Sequence, residues 1–90
     1  MSAAAVTDWR PALAPAILRR HDHARDADLL LLPERVVVLR GAAGTVVGLC
    51  DGTRSVDDIV DELAERFPGS PVATDVPPFL ERLRKEGWLR

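Results

Sequence analysis

Apolar residues recur along this chain at more than one spacing, and each spacing marks a kind of element. Val56, Ile59, Val60, Leu63, Ala64 and Phe67 follow the i, i+3, i+4 rule, which is the stripe of an amphipathic helix. Ser55 stands where an N-cap belongs, Asp57, Asp58 and Asp61 gather towards the positive end of the helix dipole, and Pro68-Gly69 stops the helix. Upstream, Ala43, Val46, Val47 and Cys50 fall at i, i+3, i+4 and i+7, a shorter helix that Gly52 is placed to close as the residue after its cap. Gly44 and Gly48 each weaken that helix by about 1 kcal/mol against alanine. It must therefore lean on tertiary packing, or on a close approach that only glycine permits. A third stripe, Val76, Phe79, Leu80 and Leu83, runs up to Gly87, Trp88 and Leu89. Pro77 and Pro78 are expected at its cap or first turn, where a missing N–H has no helical partner to lose.

Before residue 40 the pattern is extended. The runs Ala16–His21, Ala27–Leu32 and Arg35–Leu39 are separated by the polar stretch His21–Asp26 and by Pro33-Glu34. Val36-Val37-Val38 is β-branched throughout, which restricts χ1 and favours strand. Leu29–Leu32 read alone also suits a helix, but Pro33 cuts it too short to be stable. Residues 1–15, rich in Ala and Pro with Pro11 and Pro15, read as a loosely held arm that Trp9 could pin, and 16–90 as one domain. The expected architecture is α+β: a three-stranded antiparallel sheet followed by three helices, resembling a winged helix with its strands placed first.

Composition fits this picture. The 90 residues are 47% hydrophobic and 29% charged, well away from the apolar poverty of disordered chains. A domain this small buries only roughly 60–65% of its unfolded surface, so its core is modest. No run approaches the ~20 apolar residues that span a bilayer, and the Ala-rich start lacks the basic and apolar regions of a signal peptide; the expected location is cytoplasmic. Cys50 is the only cysteine, so neither an internal disulfide nor a thiolate cluster can form within the chain, and core packing is its expected role.

Candidate chemistry is sparse. His21-Asp22-His23 puts two imidazoles on one face of a strand with Asp26 nearby, but a metal site needs three or four convergent ligands, and a solvated turn is the expected outcome. Asp57, Asp58, Asp61, Glu62 and Glu65 lie on the polar face of an amphipathic helix, where no burial raises a carboxyl pKa. There is no Ser/His/Asp spacing, nucleotide loop or cofactor fingerprint. Neither a catalytic residue nor a cofactor is expected. The last helix carries Arg82, Arg84 and Lys85, which raises nucleic-acid binding by a winged helix as an alternative. A net charge of −2 and the lack of a wider basic surface argue against it.

Four stretches together resemble the PqqD family of pyrroloquinoline quinone biosynthesis. They are Arg10-Pro11-Ala12-Leu13-Ala14; Leu31-Leu32-Pro33-Glu34-Arg35; Asp51-Gly52-Thr53-Arg54-Ser55-Val56 leading into Ile59-Val60 and Leu63; and Asp75-Val76 followed by Phe79-Leu80, Leu83 and Gly87-Trp88. Where that family often carries an aromatic in the middle strand, this chain has Ala27-Asp28.

The resemblance implies the fold called a RiPP recognition element, which binds the leader of a ribosomally made peptide. In the PqqD case the peptide is PqqA, and the complex is presented to the radical SAM enzyme PqqE; a different modified peptide is the nearest alternative. A flexible leader can add a strand to an exposed sheet edge. By the resemblance it lies between the third strand (Arg35, Val36, Val37, Val38, Leu39) and the last helix, where Phe79, Arg82, Leu83 and Glu86 line a groove and Arg82 and Lys85 meet peptide acids. Alternation sends either Val36 and Val38 or Val37 and Leu39 to the core, and the sequence leaves both open. An exposed edge also invites self-pairing or domain swapping into a homodimer.

Overall fold

The computed structural model describes residues 9–90; the first eight residues of the expected arm lie outside the described residues. Three strands, β1 (Leu18–Asp22), β2 (Ala27–Leu31) and β3 (Val36–Leu39), precede three helices, α1 (Ala43–Gly48), α2 (Val56–Arg66) and α3 (Val72–Lys85). The sheet is antiparallel in the order β1-β2-β3. β1 starts two residues later than the pattern suggests, because Ile17 turns inward, its N–H donating to the Ala14 carbonyl (3.0 Å). Asp22 makes the first connection tight, its carboxylate accepting the Ala24 N–H at 3.0 Å. Pro33 and Glu34 fill the second, closed by Leu32 N–H to the Arg35 carbonyl (2.9 Å).

The register fixes both sheet faces. Leu30 pairs with Arg19 on one side and Val37 on the other, and Asp28 pairs with His21 and Leu39. Cross-strand partners share a face, and Leu30 is fully buried, so Arg19, His21, Asp28, Leu30, Val37 and Leu39 look towards the helices. Leu18, Leu29, Leu31, Val36 and Val38 look the other way, and Leu18 and Val36 are well exposed.

Helix α2 forms where the stripe predicts it. Ser55 Oγ accepts the Asp58 N–H and the Asp58 carboxylate accepts the Ser55 N–H, a reciprocal capping box. Ile59 and Leu63 are buried and join Leu30, Val47 and Leu80 at the centre of the core. Helix α1 is six residues long and ends at Leu49, so Gly52 is not its closing residue. Gly52 instead takes a positive φ of 84° in the link to α2 and donates its N–H to the Pro11 carbonyl (2.9 Å). Of the two glycines of α1, Gly44 permits a close approach, for a methyl there would fall on the Asp28 carboxylate, whereas one at Gly48 would make only ordinary contact with Arg19.

Helix α3 corrects the placement of the prolines. It begins at Val72, so Pro77 and Pro78 are interior residues rather than first-turn ones. The Pro71 carbonyl closes the first turn by accepting the N–H groups of Thr74 and Asp75. The prolines leave the carbonyls of Ala73 and Thr74 without helical donors, and both residues are exposed to water. Gly87, at φ 83°, ends the helix as expected. Its N–H reaches the Arg84 carbonyl and that of Trp88 reaches Leu83, both at 3.0 Å, a Schellman closure.

The part of the arm within the described residues is held. Pro11 is fully buried, Arg10 donates to the Thr53 carbonyl at 2.6 Å, and Ala12 and Arg90 exchange both backbone hydrogen bonds (3.2 and 2.9 Å). Among the described residues no helix is long and apolar enough to cross a membrane.

Candidate functional site

Strand β3 pairs only with β2 among the described residues, so its outer ladder is open. Its direction relative to α3 follows from what each end meets. At its start, the Arg35 guanidinium sits 5.4 Å from the centroid of the Trp88 ring, just past the end of α3. Beyond its other end, Ala42 and Ala43 share a cleft with Val72 and Val76 from the first half of α3 and with Phe79 at its middle. The start of β3 thus lies towards the end of α3 and its end towards the start of α3, so strand and helix run in opposite directions. The alternation left open by the sequence resolves as Val37 and Leu39 inward, with Val36 and Val38 on the outer face.

The residues expected on α3 separate by helical angle. Leu83 is core. Phe79, Arg82 and Glu86 are spaced i, i+3, i+7 and so share one flank, the flank on which Phe79 borders the cleft beyond β3. Arg82 and Glu86 are exposed and Phe79 is half-buried. Lys85 lies farther round the helix. Neither Arg82 nor Lys85 forms an ion pair among the described residues, whereas Arg84, on the opposite flank, is engaged by Glu81 and by the Trp9 ring. Arg82 is therefore exposed and without an ion pair among the described residues, on the flank that carries Phe79.

Other candidate chemistry is tied up elsewhere. Asp28 accepts from His21 Nδ1–H at 2.8 Å and pairs with Arg19 at 3.2 Å, while His21 Nε2 stands 3.5 Å from Asp26. The His23 ring meets His21 edge-on. Among the described residues no group of three His, Cys, Asp or Glu side chains is placed to hold a metal. Burial, with help from Asp51, pushes the Cys50 thiol up to about 12, which keeps it protonated and poorly nucleophilic. Hydrogen bonds from Ser55, backbone first, hold the Asp58 carboxyl below its ordinary value.

A cleft of about 430 Å³ escaped the sequence reading. Val72 continues the α3 stripe one turn before Val76 and was the available signal, hidden by the prolines that follow.

An open strand edge beside an amphipathic helix, on a three-stranded, three-helix α+β core, defines the class: a small recognition domain. Residues 29–89 match the family model of coenzyme PQQ synthesis protein D (PqqD). The chain is 42% identical over 80 residues to a PqqA binding protein of Pseudomonas entomophila, covering 88% of each. It superimposes on the solution structure of the PqqD truncation of Methylobacterium extorquens PqqCD, a stand-alone RiPP recognition element, with a TM-score of 0.73 at 30% identity, covering 89% of this chain and 87% of that one. Against the crystal structure of PqqD from Xanthomonas campestris the TM-score is 0.57 at 37% identity, over 100% and 98% of the two chains. The chain belongs to the PqqD family.

Proposed function

We propose that this chain binds a PqqA-type precursor peptide as an added strand on β3, along the groove flanked by α3, and presents it to the radical SAM enzyme PqqE. The observation that carries the reading is the open edge of β3, together with Arg82, exposed and without an ion pair among the described residues, on the Phe79 flank of α3. Strand addition satisfies the exposed N–H and C=O groups of both partners, while side chains at alternate positions give specificity. On this reading Arg35–Leu39 supply the edge, Phe79 and Glu86 the wall, Arg82 the charge, and Leu83 the support beneath it; Lys85 acts at longer range. The name of the Pseudomonas relative, a PqqA binding protein, supports the choice of peptide.

The chain's part is to hold the peptide in the cytoplasm and leave the covalent chemistry to its partner. The buried Cys50 thiol is a poor nucleophile, and Asp51 and Asp58, held in their charged form, are poor general acids. The open edges of β1 and β3 also fit a homodimer formed by edge pairing or swapping, which peptide would displace from β3.

The test is calorimetric titration with the PqqA peptide encoded in the same genome, coupled to amide exchange. Saturable binding with slowed exchange at Val36–Leu39 is expected. Absence of saturable binding, or protection confined to other elements, overturns the reading.

A further inference from the structure

The helices pack on one face of the sheet and leave the other without a covering layer. On that outer face Leu18, Leu31 and Val36 form one cross-strand row, and Arg20, Leu29 and Val38 form the next. Leu18 and Val36, 59% and 57% exposed, are the large hydrophobics left in open water among the described residues, and Leu31 stands between them. Leu29, Leu31 and Val38 are only half-buried. The apolar surface is thus contiguous rather than scattered, which is the kind a protein contact covers.

We propose that this outer face is where the enzyme that modifies the bound peptide docks, and that the peptide's own outward side chains complete the docking surface. The proposal rests on the strand-addition reading above and names the feature by which a partner tells the loaded chain from the empty one.

Three observations support it. The first is continuity. A peptide strand paired with β3 extends the sheet, and cross-strand partners share a face. In either direction of pairing, every second peptide side chain lies beside Val36 or Val38 and lengthens the same rows, while the others turn towards the helices. One strand is therefore read twice, by this chain from the inner side and by the enzyme from the outer side.

The second is size. Three strands about 4.8 Å apart, with five residues at about 3.4 Å each, make a face of about 250 Å². That is well under the ~800 Å² that each side of a stable complex buries, too little to hold a second copy of this chain. A fourth strand widens the face by about a third, and the enzyme must touch the peptide in any case to act on it. Loading then tips a weak contact into a productive one.

The third is charge. Arg20 is the charged residue in these two rows, exposed and without an ion pair among the described residues. Asp22, further along β1, is already engaged by Arg25 at 3.3 Å. The partner surface that fits is apolar, with a carboxylate placed opposite Arg20.

The test uses the intact chain with the PqqA peptide and the PqqE of the same genome. Leu18 lies on β1, two strands from the β3 edge, so Leu18→Glu should leave both the melting curve and the peptide affinity unchanged. PqqE is expected to bind the loaded native chain at least about fivefold more tightly than the empty one. Against the loaded Leu18→Glu variant its binding should weaken at least about tenfold, and against Arg20→Glu several-fold. If Leu18→Glu fails to fold, Leu18→Thr, a residue that suits a strand, takes its place with the same expectation. Equal PqqE affinity for empty and loaded chain, or for the native and position-18 chains, with Val36–Leu39 amides protected by peptide, overturns the docking face and leaves the groove. A dimer of the chain alone that Leu18→Glu dissolves assigns the face to a second copy and also overturns it. Val36–Leu39 amides left unprotected by peptide overturn the groove, and the composite face with it.

Discussion

Gly44 in α1 lies so close to Asp28 in β2 that any side chain at position 44 would overlap the carboxylate. A methyl at Gly48, one turn on, would meet the Arg19 guanidinium at ordinary van der Waals distance. The short helix therefore rests on a polar seam made of Arg19, Asp28 and His21, three residues that share the helix-facing side of the sheet. Asp28 occupies the central strand, and glycine opposite it leaves room for its carboxylate.

Gly44→Ala consequently reverses the usual sign. In an unobstructed helix the change stabilises by about 0.5–1 kcal/mol; here the overlap should destabilise by about 1–3 kcal/mol. Removing the obstacle restores the ordinary sign, so the same change in an Asp28→Ala background should be neutral or stabilising. Denaturant melts of the native chain, both single variants and the double variant measure this coupling directly.

Leu63→Ala should cost about 2–5 kcal/mol, since Leu63 is fully buried and a truncated core leucine leaves a cavity. An unchanged denaturation midpoint would contradict the packing of α2 against α3.

Arg82→Glu should leave stability within about 0.5 kcal/mol, because the side chain is exposed and unpaired among the described residues. Precursor peptide should nevertheless bind several-fold more weakly, chiefly through faster dissociation. A melting curve and a peptide titration on one preparation separate the two effects, and equal affinity would return Arg82 to the status of solvated surface.

Acid should loosen the α1–α2 link and the start of α2. The Asp51 carboxyl is held low by the Thr53 hydroxyl and then the Thr53 N–H, and Asp58 by the Ser55 N–H and hydroxyl. Both folded values lie below the ordinary 3.8, so their stabilisation is complete above that pH and is lost as pH falls through the lowered values. Melting temperature should drop on acidification from about pH 4 towards 2, and Asp58→Asn should flatten that part of the profile.

Much of the fold is legible in the sequence because local and tertiary preferences agree. The Val56–Phe67 stripe, the Ser55 cap and the Val36–Val38 run each report the element they form. Failures come where tertiary packing overrides a local rule. Burial of Val76 and Leu80 carries α3 through Pro77 and Pro78, and the Pro11 carbonyl recruits Gly52 away from the end of α1. The proposed groove is suggested only by family resemblance, since Arg82 and Phe79 read alone as surface and core. Which valines of β3 face inward depends on pairing with β2, and no residue of β3 encodes that by itself.

The short ladder joining Ala12–Ala14 to Trp88–Arg90 also has a mechanical meaning. Ala12 pairs with Arg90 and Ala14 with Trp88, so the two segments enter and leave the strip at the same end. Tension applied along the polypeptide from both directions would part it like a zipper, one pair at a time, instead of shearing all its bonds together. Buried Pro11 and Leu89 would be the first core residues wetted, ahead of the sheet, so a pull from a tethered neighbour would be felt at the foot of α3 before it reached β3.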